Sequence, residues 1–141
     1  MPTFDVEQEE ITAFESGQTY LFKQYFDKDD LFQQLQEHYN SDKYRFEVPG
    51  GKISKVRQIL DSFFYELKIA DELMDYCVVQ DKQVNSSDIL RNSVANQRQG
   101  NYEIYLMKDK MSVGQAIEKG ATQLQKADLR KENLQWKIDG S

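Results

Sequence analysis

The sequence predicts an α+β fold: a single domain whose mixed or mainly antiparallel sheet carries about four helices. Two stretches carry that reading and a third narrows it. Residues 43–48 (Lys-Tyr-Arg-Phe-Glu-Val) alternate charged and apolar at every step. A strand there puts Tyr44, Phe46 and Val48 on one face and Lys43, Arg45 and Glu47 on the other. Pro49-Gly50-Gly51 stops it, because proline offers no N–H and glycine tolerates positive φ. Ile53, Val56, Leu60, Phe63 and Phe64 follow at the spacing of one helical stripe. A hairpin-like start argues against a purely parallel, doubly wound sheet.

In chain order, residues 9–26 read as that hairpin. Apolar residues 11–14 precede the turn Glu15-Ser16-Gly17-Gln18, and Tyr20, Phe22 and Phe26 then alternate against Lys23 and Gln24. Asp27 is placed as a helix N-cap, with Asp30 near the positive end of the helix dipole. The helix over 28–40 aligns Leu31, Leu35 and Tyr39, with Phe32 beside them. Residues 65–70 read as a short strand, 71–75 as a turn of helix and 75–80 as a strand. Asn85-Ser86-Ser87-Asp88 opens a polar helix over 88–98 with only Ile89, Leu90, Val94 and Ala95 to bury, and Gln99-Gly100-Asn101 ends it. Residues 102–107 form a strand with Tyr102, Ile104 and Leu106 on one face. Ser112 with Gln115 reads as a capping box opening a helix that turns Val113, Ala116, Ile117 and Leu124 inward; Gly120 weakens it or ends it early. The tail alternates through Leu134, Trp136 and Ile138, which reads as an added edge strand. The domain thus divides into a hairpin (1–26), an αβ core (27–125) and a tail (126–141).

A shift of 58 residues superimposes these elements without a gap. Asp30 falls on Asp88, Tyr44 on Tyr102 and Ser54 on Ser112. Identities are few, so two similar βαβα halves rest on element order alone. Such halves imply a pseudo-symmetric sheet with a groove between them.

At 141 residues with 39% hydrophobic content, a chain buries roughly 68% of its unfolded surface, so the core needs no disulfide or metal. The sixteen Phe and Tyr residues dominate that core. The surface is polar: charge is 30% and mean hydropathy −0.76. The lone Cys77, in an apolar run, reads as a small buried hydrophobe, and such cysteine usage fits a reducing compartment. Residues 1–10 show no secretory apolar run and no stretch approaches a membrane span, so a cytoplasmic location is expected. Net charge is −6 and uneven: residues 1–50 hold 4 basic and 11 acidic side chains, net −7. That acidic third disfavours nucleic acid and anionic membrane and favours a basic partner.

Catalytic signatures are mostly absent. His38 is the sole histidine, and no cysteine pair exists for zinc. Gly50-Gly51-Lys52 lies between strand and helix, where an anion is conceivable, but it matches no phosphate-loop pattern and reads better as a turn. Glu66-Leu67-Lys68 is the one E-x-K triplet, at or below chance for this composition. Asp27, Asp29 and Asp30 read as helix N-terminal charge. Asp71 and Asp75 share a helical face at i, i+4 in this reading, with Glu72 beside them, and such carboxylates suit a divalent cation. Arg91, Asn92, Asn96 and Arg98 on the polar helix offer donors for a carboxylate, a phosphate or a partner backbone, and are the candidate binding surface.

The leading expectation is a non-enzymatic protein-interaction domain of adaptor, inhibitor or immunity type that binds a basic partner. The alternative is a small divalent-metal-dependent enzyme or ligand-binding domain using Asp71, Glu72 and Asp75. A third is a homodimer pairing through the tail strand around Trp136.

Overall fold

Strand β1 (Glu9–Ser16) is apolar on both faces, and both faces are covered. Ile11 and Ala13 point one way, Thr12 and Phe14 the other, and all four are buried. This strand sits inside a five-stranded sheet of a computed structural model that describes residues 8–81, 87–99 and 101–124. A two-residue loop folds β1 onto antiparallel β2 (Thr19–Phe22), with Phe14 opposite Leu21. Gly17 takes φ +62° there, a value that favours glycine. On the other side β1 pairs in parallel with β5 (Tyr65–Ile69). The crossover between β2 and β5 contains helix α1 (Asp29–Leu35), strands β3 (Tyr39–Asn40) and β4 (Arg45–Pro49), and helix α2 (Ile53–Ser62). Sheet order is β3-β4-β2-β1-β5.

The second sheet is antiparallel and has the order β7-β8-β6-β9. Its strands are β6 (Cys77–Asp81), β7 (Ser93–Gln99), β8 (Tyr102–Met107) and β9 (Thr122–Gln123). Helix α3 (Ser87–Arg91) precedes β7, and α4 (Lys110–Glu118) precedes β9.

Three apolar clusters define four layers. Leu31 and Leu35 of α1 and Val56 and Leu60 of α2 pack on Ile11, Ala13, Phe22, Phe46, Val48 and Leu67 of the first sheet. Phe46 is the hub of this layer: Phe22 stacks on it at 4.9 Å, and Phe26, Phe32 and Tyr39 surround it at 5.0–6.1 Å. On the opposite face, Phe14 and Leu21 meet Cys77, Val79, Val94, Ile104 and Leu106 of the second sheet. Val78, Tyr105 and Met107 then face Ile89 of α3 and Val113 and Ala116 of α4. The molecule is an α+β domain layered helix, sheet, sheet, helix.

The two halves share their element order. From β2, α1, β3, β4, α2 and β5 a shift of 58 leads to β6, α3, β7, β8, α4 and β9. The outer pairing keeps register under the shift: Tyr39 opposite Phe46 becomes Gln97 opposite Ile104. The inner pairing slips by one. Leu21 opposite Glu47 calls for Val79 opposite Tyr105, but Val79 lies opposite Ile104. One residue reverses the pleat, so Phe46 and Val48 face helices whereas Ile104 and Leu106 face the other sheet. The gapless overlay is therefore corrected at β8, and β1 is an addition with no counterpart.

Several local expectations change. Tyr44 is not in the strand; it has φ +55° in the preceding turn and is 64% exposed. Arg45 takes a buried place, 3% exposed. Phe64 leaves the α2 stripe, with φ +67° and half its surface in water. The helix over 28–40 stops at Leu35; a 3₁₀ turn (Gln36–His38) follows, and Tyr39 begins β3. The α1 N-cap position is Lys28 rather than Asp27, and that of α4 is Asp109 rather than Ser112. Gly50 is not at positive φ; it allows close approach, since a Cβ would meet Gln18 O at 3.2 Å. The largest change is residues 93–98, expected as helix, which belong to the strand over 93–99. This strand, β7, pairs along β8, which overrides local propensity. The tail expected to add a strand lies outside the described residues.

Phe46 is 1% exposed at the centre of four other rings. Phe46→Ala is expected to cost about 3–5 kcal/mol, read as a lowered urea midpoint with an unchanged slope.

Candidate anion-binding site

The site is built by the edge of the first sheet overhanging the start of β7. Asn40, last residue of β3, ties the β3–β4 turn: its Oδ1 accepts from the backbone N–H of Asp42 (3.0 Å) and Lys43 (3.2 Å). The turn swings Lys43 and Tyr44 outward, and Arg45 returns beneath it. Arg45 Nε donates to Glu47 Oε2 at 2.7 Å and Nη1 donates to Val94 O at 2.9 Å. Asn40 Nδ2 donates to the same Glu47 oxygen at 3.2 Å. Lys23, just after β2, donates from Nζ to Ser93 O at 3.0 Å. Two cations of the first half thus clasp adjacent carbonyls of β7, where a bulge interrupts its register between Ser93 and Ala95.

Between these walls lies a half-open cavity of about 950 Å³. Cationic side chains line it from both halves: Lys23, Lys43 and Arg45 from the first, Arg91 and Lys108 from the second. Among the described residues Asp42 is the one carboxylate in the lining. Glu47 and Asp109 stand behind it, paired with Arg45 at 2.7 Å and with Lys108 at 3.2 Å. Even counting both, positive charge exceeds negative by five to three, in a chain of net charge −6. Three of the four basic residues among positions 1–50 line this cavity, so the averaged charge of that segment conceals its local sign. The rim is apolar: Tyr25, Tyr44 and Leu90 are 78%, 64% and 47% exposed.

Electrostatics follow from burial and crowding. Burial, then Lys108 and Arg45, push the Lys23 ammonium below the ordinary lysine value of 10.5. Burial works against the Asp109 charge, but hydrogen bonds from Ser112 and attraction from Lys108 outweigh it and hold that carboxyl below 3.8. Ser112 N donates to Asp109 Oδ1 at 2.8 Å, which caps α4.

Of the candidate binding residues, Arg91, Asn92 and Asn96 line the cavity, and Arg98 does not. Their shared helix is corrected: Arg91 ends α3, Asn92 turns, and Asn96 and Arg98 lie on β7. Glu103 of β8 holds the last two, accepting from Asn96 Nδ2 at 2.7 Å and pairing with Arg98 at 3.5 Å. Asp71, Glu72 and Asp75 are not brought onto a helical face, because the helical turn there is a 3₁₀ turn (Leu73–Tyr76) that begins after Asp71 and Glu72. Among the described residues no group of three or more His, Cys, Asp or Glu is placed to hold a metal ion.

Gly50-Gly51 borders a separate hollow of about 380 Å³ whose lining, among the described residues, carries one charge, that of Glu15. Gly50 N already donates to Gln18 O at 2.8 Å, so an anion finds little there. His38 lies in the 3₁₀ turn with its side chain 9% exposed. Burial lowers its pKa below 6.5, Glu37 opposes, and Lys52 and Lys55 add to the lowering. It does not line the cavity. Comparisons with protein families, with curated proteins and with solved structures return no match to this chain.

Lys23, Lys43, Arg45 and Lys108 were missed by sequence reasoning. They lie far apart in the chain, and only Lys43 and Arg45 are neighbours in a motif.

Two outcomes test this construction. Arg45→Ala leaves Glu47 without its guanidinium in a part-buried place and is expected to cost about 3 kcal/mol, measured by chemical unfolding. Asp109→Ala is expected to cost about 1 kcal/mol at neutral pH. A depressed carboxylate stabilises above its unfolded value and loses that contribution as pH falls through its folded value. The gap between variant and wild type should therefore close below pH 3.8.

Proposed function

We propose that this protein is a non-enzymatic binding domain whose ligand is a small anionic molecule with an apolar part, held in the groove between its halves. One observation carries the reading: five cationic side chains from both halves converge on a cavity of about 950 Å³ in an acidic chain. Ligand sites are concave, largely apolar and set with a few convergent polar groups. Arginine and lysine here supply both fork-like and point-like donors for carboxylate or phosphate. Tyr25, Tyr44 and Leu90 offer apolar surface at the mouth. The sign of the site favours an anion over the basic partner expected from the averaged charge.

The test is thermal unfolding of the full chain with ATP, citrate or inorganic phosphate. At least one should raise Tm saturably, with the effect shrinking as sodium chloride rises. Arg91 is exposed, so Arg91→Glu should leave the fold intact and weaken that ligand about tenfold or more. Stabilisation that is the same in the variant, or absent with all three anions, would sink the reading.

A further inference from the structure

We propose that Lys23 is a nucleophilic amine that captures a carbonyl compound bearing an anionic group, as an imine, inside this groove. The inference deepens the anion-binding reading and rests on it. Lys23 Nζ is part-buried, lines the cavity and is held 3.0 Å from Ser93 O. That carbonyl accepts one N–H and fixes the nitrogen in place. Once deprotonated, a nitrogen so held keeps its lone pair for a guest. Arg45 and Lys108 line the same cavity. Together they disfavour a third positive charge at Nζ and offer attraction to a carboxylate or phosphate on the guest. Burial contributes in the same direction. Other lysines sit differently: Lys52, Lys68 and Lys119 pair with Glu37, Glu10 and Asp88.

The chemistry balances without a further reactant. The Nζ lone pair forms a bond to the carbonyl carbon as the C=O π pair moves to oxygen. Oxygen takes up a proton and nitrogen releases one, which leaves a carbinolamine. The hydroxyl then departs as water while C=N forms and the second nitrogen proton is lost. No oxidation state changes. The groove's cations hold the anionic group in place throughout and offset its charge.

The experiment uses the full chain, pyridoxal 5′-phosphate as an anionic aldehyde, and pyridoxal as its counterpart lacking the phosphate. After borohydride reduction, peptide mass mapping locates the adducts, with the other lysines as internal controls. Lys23 should be labelled faster than every other lysine. The phosphate form should label it faster than pyridoxal, and inorganic phosphate should slow it. Lys23→Arg should abolish that adduct, whereas the anion-dependent rise in Tm is read on the unmodified wild-type chain. Labelling spread evenly over the lysines, with that rise in Tm intact, overturns the proposal and leaves the groove reading standing. Fast labelling of Lys23 that is indifferent to the phosphate overturns both.

Discussion

Everything in this molecule depends on two sheets closing face to face. Phe14 and Leu21 on one side and Cys77, Val79, Val94, Ile104 and Leu106 on the other are all buried. The contact removes from water a surface that neither sheet can cover alone, because the helices of each half lie on the outer faces. Strands β1, β6 and β8 are therefore apolar on both faces. Their two-sided burial fixes register, since a slip of one residue would exchange the two interiors. The chain tolerates one such exchange between its halves, at β8, because both faces of β8 are apolar: Ile104 and Leu106 on one, Tyr105 and Met107 on the other.

At the edge of that interface the apolar contact gives way to charge. Arg45 occupies a face-to-face position next to Val94, where a hydrophobe would simply extend the core. Its guanidinium instead bridges Glu47 and the Val94 carbonyl. Lys23 does the same for Ser93. Such clasps satisfy carbonyls at a bulged edge strand and blunt it against pairing with another chain. They also draw cations together. The crowding of cations around the groove is a by-product of closing the sandwich edge, and with burial it lowers the Lys23 pKa.

Separation along the chain explains why this charge pattern hides in the sequence. Lys23 and Lys108 are 85 positions apart, and both face one cavity. The acidic residues of the first half, such as Asp29 and Asp30 on α1, point to water on the outer layer. A segment average adds the two populations and reports only the larger. Sign at a site is set by which side chains share a wall.

What the sequence determined by itself was local: the α2 stripe, the β1–β2 turn at Gly17, alternation through Phe46 and Val48, the break at Gly120, and an element order repeated after 58 residues. Each follows from periodicity or from glycine's freedom over a few residues, which need no partner to be read. Tertiary structure decided the rest. Residues 93–99 are a strand because β8 lies beside them, and their polar composition carried no trace of that neighbour. Arg45 is buried because a second sheet covers its face. Arg91, Asn92 and Asn96 were legible as donors, but their cavity was not, since its opposite wall comes from residues 23–25 and 42–45. Pairing and convergence are properties of distant segments meeting, and no window of sequence contains both partners.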